Sequence, residues 1–212
     1  MIITIGNTKG GVGKTTLALN IALGLALRGR DVWLIDGDRQ GTASTAIQIR
    51  GEIGVVPVIA CAQYTDGAAL MAQVKHQAGK FQDIVIDAGG RDSTALRAAI
   101  MLSDIIVIPF QPRSIDIWAL EDISSLLDEA RAMGASAKAL AVLSMADPGG
   151  ADNDEARAAV ADFQGLELAV SRVGRRKSFS NAAGAGQTVL EYSPVDQKAR
   201  AEINQLLDEI TK

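Results

Sequence analysis

The sequence predicts a single α/β domain over residues 1–212, a mostly parallel twisted sheet with helices on both faces. Three observations predict it. Short apolar runs such as Asp83–Asp87 and Ile105–Ile108 alternate with longer stretches of helical character, the pattern of βα units. Aromatic residues are 4% of the chain and hydrophobic residues 48%, so the core is built from Ala, Val, Leu and Ile, which suits parallel strands under small-residue helices. A glycine-rich loop, Lys9-Gly10-Gly11-Val12-Gly13-Lys14-Thr15-Thr16, follows the first apolar run directly.

Taken in order, Ile2 to Ile5 reads as a buried strand and about Lys14 to Arg28 as a helix, with Gly29 where a C-cap belongs. Asp31 to Ile35 is a second strand, running out into Asp36-Gly37-Asp38-Arg39-Gln40-Gly41. Thr42 to Arg50 is a short helix, Val55 to Ala60 a weaker strand, and Thr65 to Gly79 a helix. Asp83 to Asp87 is a strand, and Ser93 or Thr94 caps the helix that ends at about Leu102. Ile105 to Ile108 is a buried strand ended by Pro109, and a helix from Ile115 to Met133 stops at Gly134. Then come a strand from Ala139 to Met145, a turn over 147–150, a helix near Asn153–Phe163 and a short strand near Leu168–Val170. A basic loop, Arg172 to Lys177, leads into Ser178–Ala183, which could start a helix; the last helix, about Val195 to Ile210, sets Ile203, Leu206, Leu207 and Ile210 on one face.

Composition excludes several chemistries. Cys61 and His76 are the only residues of their kinds, so no internal disulfide, thiolate cluster or His-based triad can form. No apolar stretch approaches the roughly 18 residues of a spanning helix, and the N-terminus lacks the marks of a signal peptide. A soluble, cytoplasmic protein is expected. With a net charge of −4, nucleic-acid binding requires a local basic patch.

The glycine-rich loop carries the chemistry. Gly13-Lys14-Thr15 ends a phosphate-binding P-loop, whose glycines let backbone N–H groups curl round an anion at a helix N-terminus. Lys14 is expected at the β/γ-phosphates and the Thr15 hydroxyl on Mg²⁺. Thr8 stands where the usual pattern has glycine, and a second lysine, Lys9, opens the loop. Phosphoryl transfer also needs a carboxylate near the cation and a group that orients water. Asp87 fits the first role, and Asp36 or Asp38 the second. A lone strand-terminal Asp is more often a helix cap; a P-loop upstream favours the functional role.

Lys9–Thr16 resembles the deviant Walker A motif of the ParA/MinD superfamily. Asp36–Gly41 is similar to its A-prime motif, with Arg39 in place of proline, and Asp83–Asp87 to its Walker B strand. The resemblance implies a Mg²⁺-dependent ATPase that binds through Gly10, Gly11, Val12, Gly13, Lys14, Thr15 and Thr16 and forms a homodimer around two ATP molecules. It implies that Lys9 reaches the partner's nucleotide, that Asp38 orients the hydrolytic water, and that Thr15, Asp38 and Asp87 serve the metal. Met145 and Asp147 lie where relatives contact adenine. Pro109–Arg113 lies where the family puts dimer contacts, a plain turn being the alternative, and Trp118 is read as core or dimer interface. Hydrolysis is expected to be slow until a partner stimulates it.

The acidic C-terminal helix argues against MinD-like membrane attachment; its apolar stripe is read as a core face. ParA-like members bind DNA without sequence preference, and Arg172, Arg175, Arg176 and Lys177 form the one local excess of positive charge. The alternatives are a solvated loop or an arginine reserved for the nucleotide. The expected type is short, without an N-terminal DNA-binding extension, and nucleoid-associated when ATP-bound. The function expected is plasmid or chromosome partition with a ParB-like partner and non-specific DNA. The alternative is ATP-driven positioning of a protein cargo such as a chemotaxis array, a microcompartment or a conjugation complex. A metabolic P-loop kinase is a third reading, against which Lys9 weighs.

Overall fold

The structure, a computed structural model, describes residues 1–149 and 151–212, without the side chains of residues 114–119 and 151. Trp118 therefore lies outside the described residues, as does Gly150 of the expected turn. Among the described residues seven strands form one sheet in the order β3-β2-β4-β1-β5-β6-β7, and every neighbouring pair is parallel. The strands are β1 (Ile2–Ile5), β2 (Val32–Asp36), β3 (Ala60–Gln63), β4 (Asp83–Asp87), β5 (Ile105–Phe110), β6 (Lys138–Ala146) and β7 (Leu166–Gly174). The fold is that of a single-domain α/β P-loop NTPase, as the sequence predicts.

One face is covered by α1 (Lys14–Leu27), α2 (Thr42–Glu52), α7 (Lys177–Gly184) and α8 (Gln197–Ile210). Ile3, Ile5, Leu34, Val85 and Val107 point into this layer and meet Leu17, Ile21, Leu25 and the α8 stripe Ile203, Leu206, Leu207 and Ile210. The stripe is fully buried, so it packs the core. The opposite face carries α3 (Gly67–Gln77), α4 (Thr94–Leu102), α5 (Ser114–Ala132) and α6 (Ala151–Ala159) over Ile84, Ile86, Ile106 and Ile108. Alternate strand residues thus serve opposite layers. Among the described residues no helix is long and apolar enough to cross a membrane.

Three elements depart from the sequence expectation. β3 begins at Ala60, where Val55–Ala60 was expected to end. Pro57 cannot donate to a ladder, and Val56 and Val58 are 74% and 63% exposed, so the apolar letters before Ala60 do not reflect burial. β5 continues through Pro109 to Phe110; the Pro109 carbonyl accepts from the Asn7 side chain at 2.8 Å. β7 is nine residues long, three times the expected span. Its outer backbone groups find side-chain partners: Glu209 accepts from the N–H groups of Val170 and Ser171 at 2.8 and 3.0 Å, and Glu202 from that of Gly174 at 3.1 Å. The basic segment is therefore no continuous loop. Arg172 lies within β7 and Lys177 opens α7, an eight-residue helix.

Candidate functional site

β1 is the central strand, with β4 and β5 on either side, and the loop at its C-terminal end rises from the sheet edge where open α/β folds bind ligands. Asn7, fully buried, fixes the entry: its side-chain oxygen accepts from the Lys9 N–H at 3.1 Å. Gly10 and Gly11 face open space, with nothing within 4 Å of where a Cβ would stand. Gly13 has φ +93°, and a Cβ there would come within 2.9 Å of Ser144 Oγ, so glycine is required twice over. Gly13 also caps α1 without a side-chain bond, unlike Asp66, Ser93 and Asp196 at the starts of α3, α4 and α8. The first turn of α1 therefore offers its N–H groups to an anion.

Lys14 is buried at the heart of this loop, and its ammonium donates to the Lys9 carbonyl at 2.5 Å. Burial lowers its pKa, while the charges of Asp87 and Asp38 pull it back up. Lys9 itself stands half-buried at the mouth of the loop, beside Arg91, Asp92, Glu121 and Asp122. Val12 is buried, whereas Thr15 and Thr16 are half-exposed.

The two A-prime carboxylates separate cleanly. Asp36 is fully buried and both its oxygens are engaged, by the N–H of Asp38 at 3.1 Å and of Ser44 at 2.8 Å. It organises the turn and the start of α2. Asp38 is half-exposed; one oxygen accepts from the Gln40 N–H at 3.0 Å, and the other faces Gly89. Of the two, it is Asp38 whose charge raises the pKa of Lys14, after Asp87. Replacing proline by Arg39 leaves the turn intact, closed by the Gly41 N–H to the Asp38 carbonyl at 3.2 Å.

Asp87 ends β4 in register with Ile5 and Asp36. It is 1% exposed, and its Oδ2 has no hydrogen-bond partner. Desolvation, opposed by a hydrogen bond from Thr15 and reinforced by Asp36, raises its pKa to about 7. An orphaned carboxylate oxygen beside a threonine hydroxyl at the head of α1 fits a divalent cation. Among the described residues no group of three or more His, Cys, Asp or Glu is placed to hold a metal ion; Mg²⁺ keeps several waters and takes phosphate oxygens beside one or two carboxylates.

The expected peripheral residues fare differently. Met145, at φ +52°, lies against Gly13, its Cε 3.7 Å from the Cβ position there. Asp147 is exposed, and its backbone is tied to the Asn153 side chain. The basic residues are dispersed in their engagements. Arg176 pairs with Glu202 at 2.6 Å, while Arg175 reaches Gln111 at 3.5 Å; Arg172 and Lys177 are exposed.

Several residues hold the site in roles that the sequence does not predict; Gln111 is read from the sequence only within Pro109–Arg113, for dimer contacts or a turn. Gln63, at the end of β3, donates to the Asp38 carbonyl at 2.7 Å. Arg91, at φ +84°, donates its N–H to the Thr8 carbonyl at 2.7 Å and so pins the segment after β4 to the P-loop. Gln111 donates to the Gly11 carbonyl at 2.8 Å. Each acts through backbone contacts that only the fold brings about.

Residues 3–189 match the family model of the CobQ/CobB/MinD/ParA nucleotide binding domain. The chain belongs to that family. Among curated relatives, "Maintenance of carboxysome distribution protein A" of Halothiobacillus neapolitanus is 30% identical over 211 residues, covering 98% of this chain and 95% of the relative. The chromosome-partitioning ATPase Soj of Thermus thermophilus is 26% identical, covering 94% and 91%. An ATP complex of McdA from Cyanothece superposes with a TM-score of 0.79 at 15% identity, covering 99% of this chain and 95% of that one. That structural likeness shows the fold. Within the CobQ/CobB/MinD/ParA family, the matched region runs from β1 through the loop that precedes α8.

Proposed function

We propose that the chain is an ATP-driven positioning ATPase whose cargo is a protein assembly. The observation that carries this reading is the similarity, over nearly the whole of both chains, to a relative named for carboxysome distribution. The lower identity to Soj keeps chromosome or plasmid partition as the second reading. In either, the same site works as a switch.

The phosphate chain lies on the N–H groups of Gly10 to Thr16, and Lys14 moves from the Lys9 carbonyl to the β/γ-phosphates. Mg²⁺, when bound, would offset the negative charge of the phosphates, and Thr15, Asp38 and Asp87 are the residues that would hold it. Asp38 orients the attacking water. Two polyanions brought face to face repel, and Lys9 from each copy offsets that charge in the other, which makes dimerisation depend on ATP. Met145 and Asp147 border the base. The dimer binds DNA non-specifically through Arg172, Arg175, Arg176 and Lys177, with Arg176 leaving Glu202 to do so, and a ParB-like partner protein stimulates hydrolysis.

Deleting the gene in its source organism and imaging both cargo classes tests the choice. The expected result is mislocalised protein assemblies with plasmid and chromosome inheritance unchanged. Loss of DNA inheritance with normal placement of protein assemblies hands the function to partition.

A further inference from the structure

Gln111 follows β5 directly and is 7% exposed. Its Nε2 donates to the Gly11 carbonyl at 2.8 Å. The C=O and N–H of one trans peptide unit point in opposite directions. Holding the Gly11 carbonyl therefore also sets the direction of the Val12 N–H, which points away from Gln111. Val12, on the far side of that peptide unit, is fully buried.

The other end of the same amide is also used. With Nε2 committed to a carbonyl, the remaining atom is an acceptor, and it faces the Arg175 guanidinium at 3.5 Å. Arg175 is in turn anchored by its backbone N–H to the Ala146 carbonyl at 3.0 Å. Ala146 belongs to the same strand end as Ser144 and Met145, which back Gly13. The ends of β5, β6 and β7 thus converge on the loop, and Gln111 is the side chain that joins Gly11 to Arg175.

We propose that Gln111 is a positioning residue that sets the phosphate cradle and couples it to Arg175 at the entrance to α7. A rotation of the Gly11 peptide is taken up by the Gln111 amide and alters the partner of Arg175. This places the basic segment under nucleotide control within one chain, apart from any dimer contact. The inference rests on the nucleotide reading of the loop and is independent of the cargo.

The test compares wild type, Gln111→Leu and Gln111→Glu. Each is titrated with a fluorescent ATP analogue and Mg²⁺, and hydrogen exchange is followed over residues 172–178 with and without ATP. Gln111→Leu removes both bonds; Gln111→Glu keeps the shape and the acceptor for Arg175 but has no donor for Gly11. Both variants are expected to bind the analogue about tenfold more weakly, the order for one buried hydrogen bond. In both, the ATP-dependent change in exchange at the Arg175 amide should vanish while the nucleotide-free pattern stays that of wild type. A purely structural role predicts instead faster exchange equally with and without ATP, and that result overturns the proposal. So does unchanged affinity in Gln111→Glu, or an ATP-dependent change that persists in both variants. Failure of the wild type to bind the analogue defeats the nucleotide reading itself.

Discussion

Asp87 shows how a single residue ties the chemistry of the site to stability. Its pKa is raised to about 7, first by desolvation, so the folded chain binds its proton more tightly than the unfolded chain does. The proton's stabilising effect is fully present below the ordinary carboxylate pKa of 3.8 and is lost as pH rises through 7. Thermal unfolding of the nucleotide-free protein should show this contribution, on the order of a few kcal/mol, falling away between about pH 4 and pH 7 and flat above that. Asp87→Asn, a neutral isostere, should flatten that slope while weakening Mg²⁺-ATP binding. Lys14→Ala should abolish nucleotide binding, measured by calorimetry. At this scale the sequence carried the placement of the loop after β1 and of Asp87 at the end of β4, because a buried apolar run reports where its strand stops. It left Asp36 and Asp38 open, since hydrogen bonds to the N–H groups of Asp38 and Ser44 have no trace in residue order.

The elements are held by polar side chains as much as by apolar layers. Arg50 on α2 is 0% exposed, and its guanidinium donates to the Pro57 carbonyl, the Gly186 carbonyl and both Glu191 oxygens at 2.6 to 3.1 Å. It fastens the segment before β3 and the one after α7 to the same helix. Arg50→Met leaves Glu191 without its partner, and a loss of about 3–5 kcal/mol is expected in chemical denaturation. Glu209 plays the corresponding part at the other sheet edge. Burial pushes its pKa up, but the bonds from Ser171 and Val170 prevail and leave it below the ordinary value. Its contribution is therefore present at neutral pH and is lost as pH falls through its folded pKa. Glu209→Ala should cost about 1–3 kcal/mol by unsatisfying β-edge N–H groups, read as a lower Tm at pH 7. These two residues also explain which elements the sequence misplaces. Apolar letters at Val56 and Val58 suggested a strand where the chain is exposed, and the length of β7 depends on acceptors supplied by α8. Central strands such as β1 and β4 are legible because both their faces are buried.

For the molecule as a whole, the parallel sheet serves to bring six separated segments to one edge. The P-loop, the A-prime turn, the end of β4, Gln111, Met145 and Arg175 come from different strand ends, and the order of the strands places β1 between the others. That convergence fits the proposed nucleotide switch; alternation of elements made the meeting of the P-loop and the strand-terminal carboxylates legible, whereas Gln111 and Arg175 join them only through contacts of the fold. What alternation cannot show is which surface the switch controls, because partners act on side chains from several elements. The central claim is that ATP joins two copies through Lys9. Sedimentation velocity with Mg²⁺-ATP tests it most directly, on wild type, Asp38→Ala and Lys9→Ala together. The account predicts a dimer that Asp38→Ala traps and that Lys9→Ala fails to form while still binding ATP. A Lys9→Ala protein that dimerises on ATP as wild type does, or an Asp38→Ala protein that stays monomeric, would contradict it.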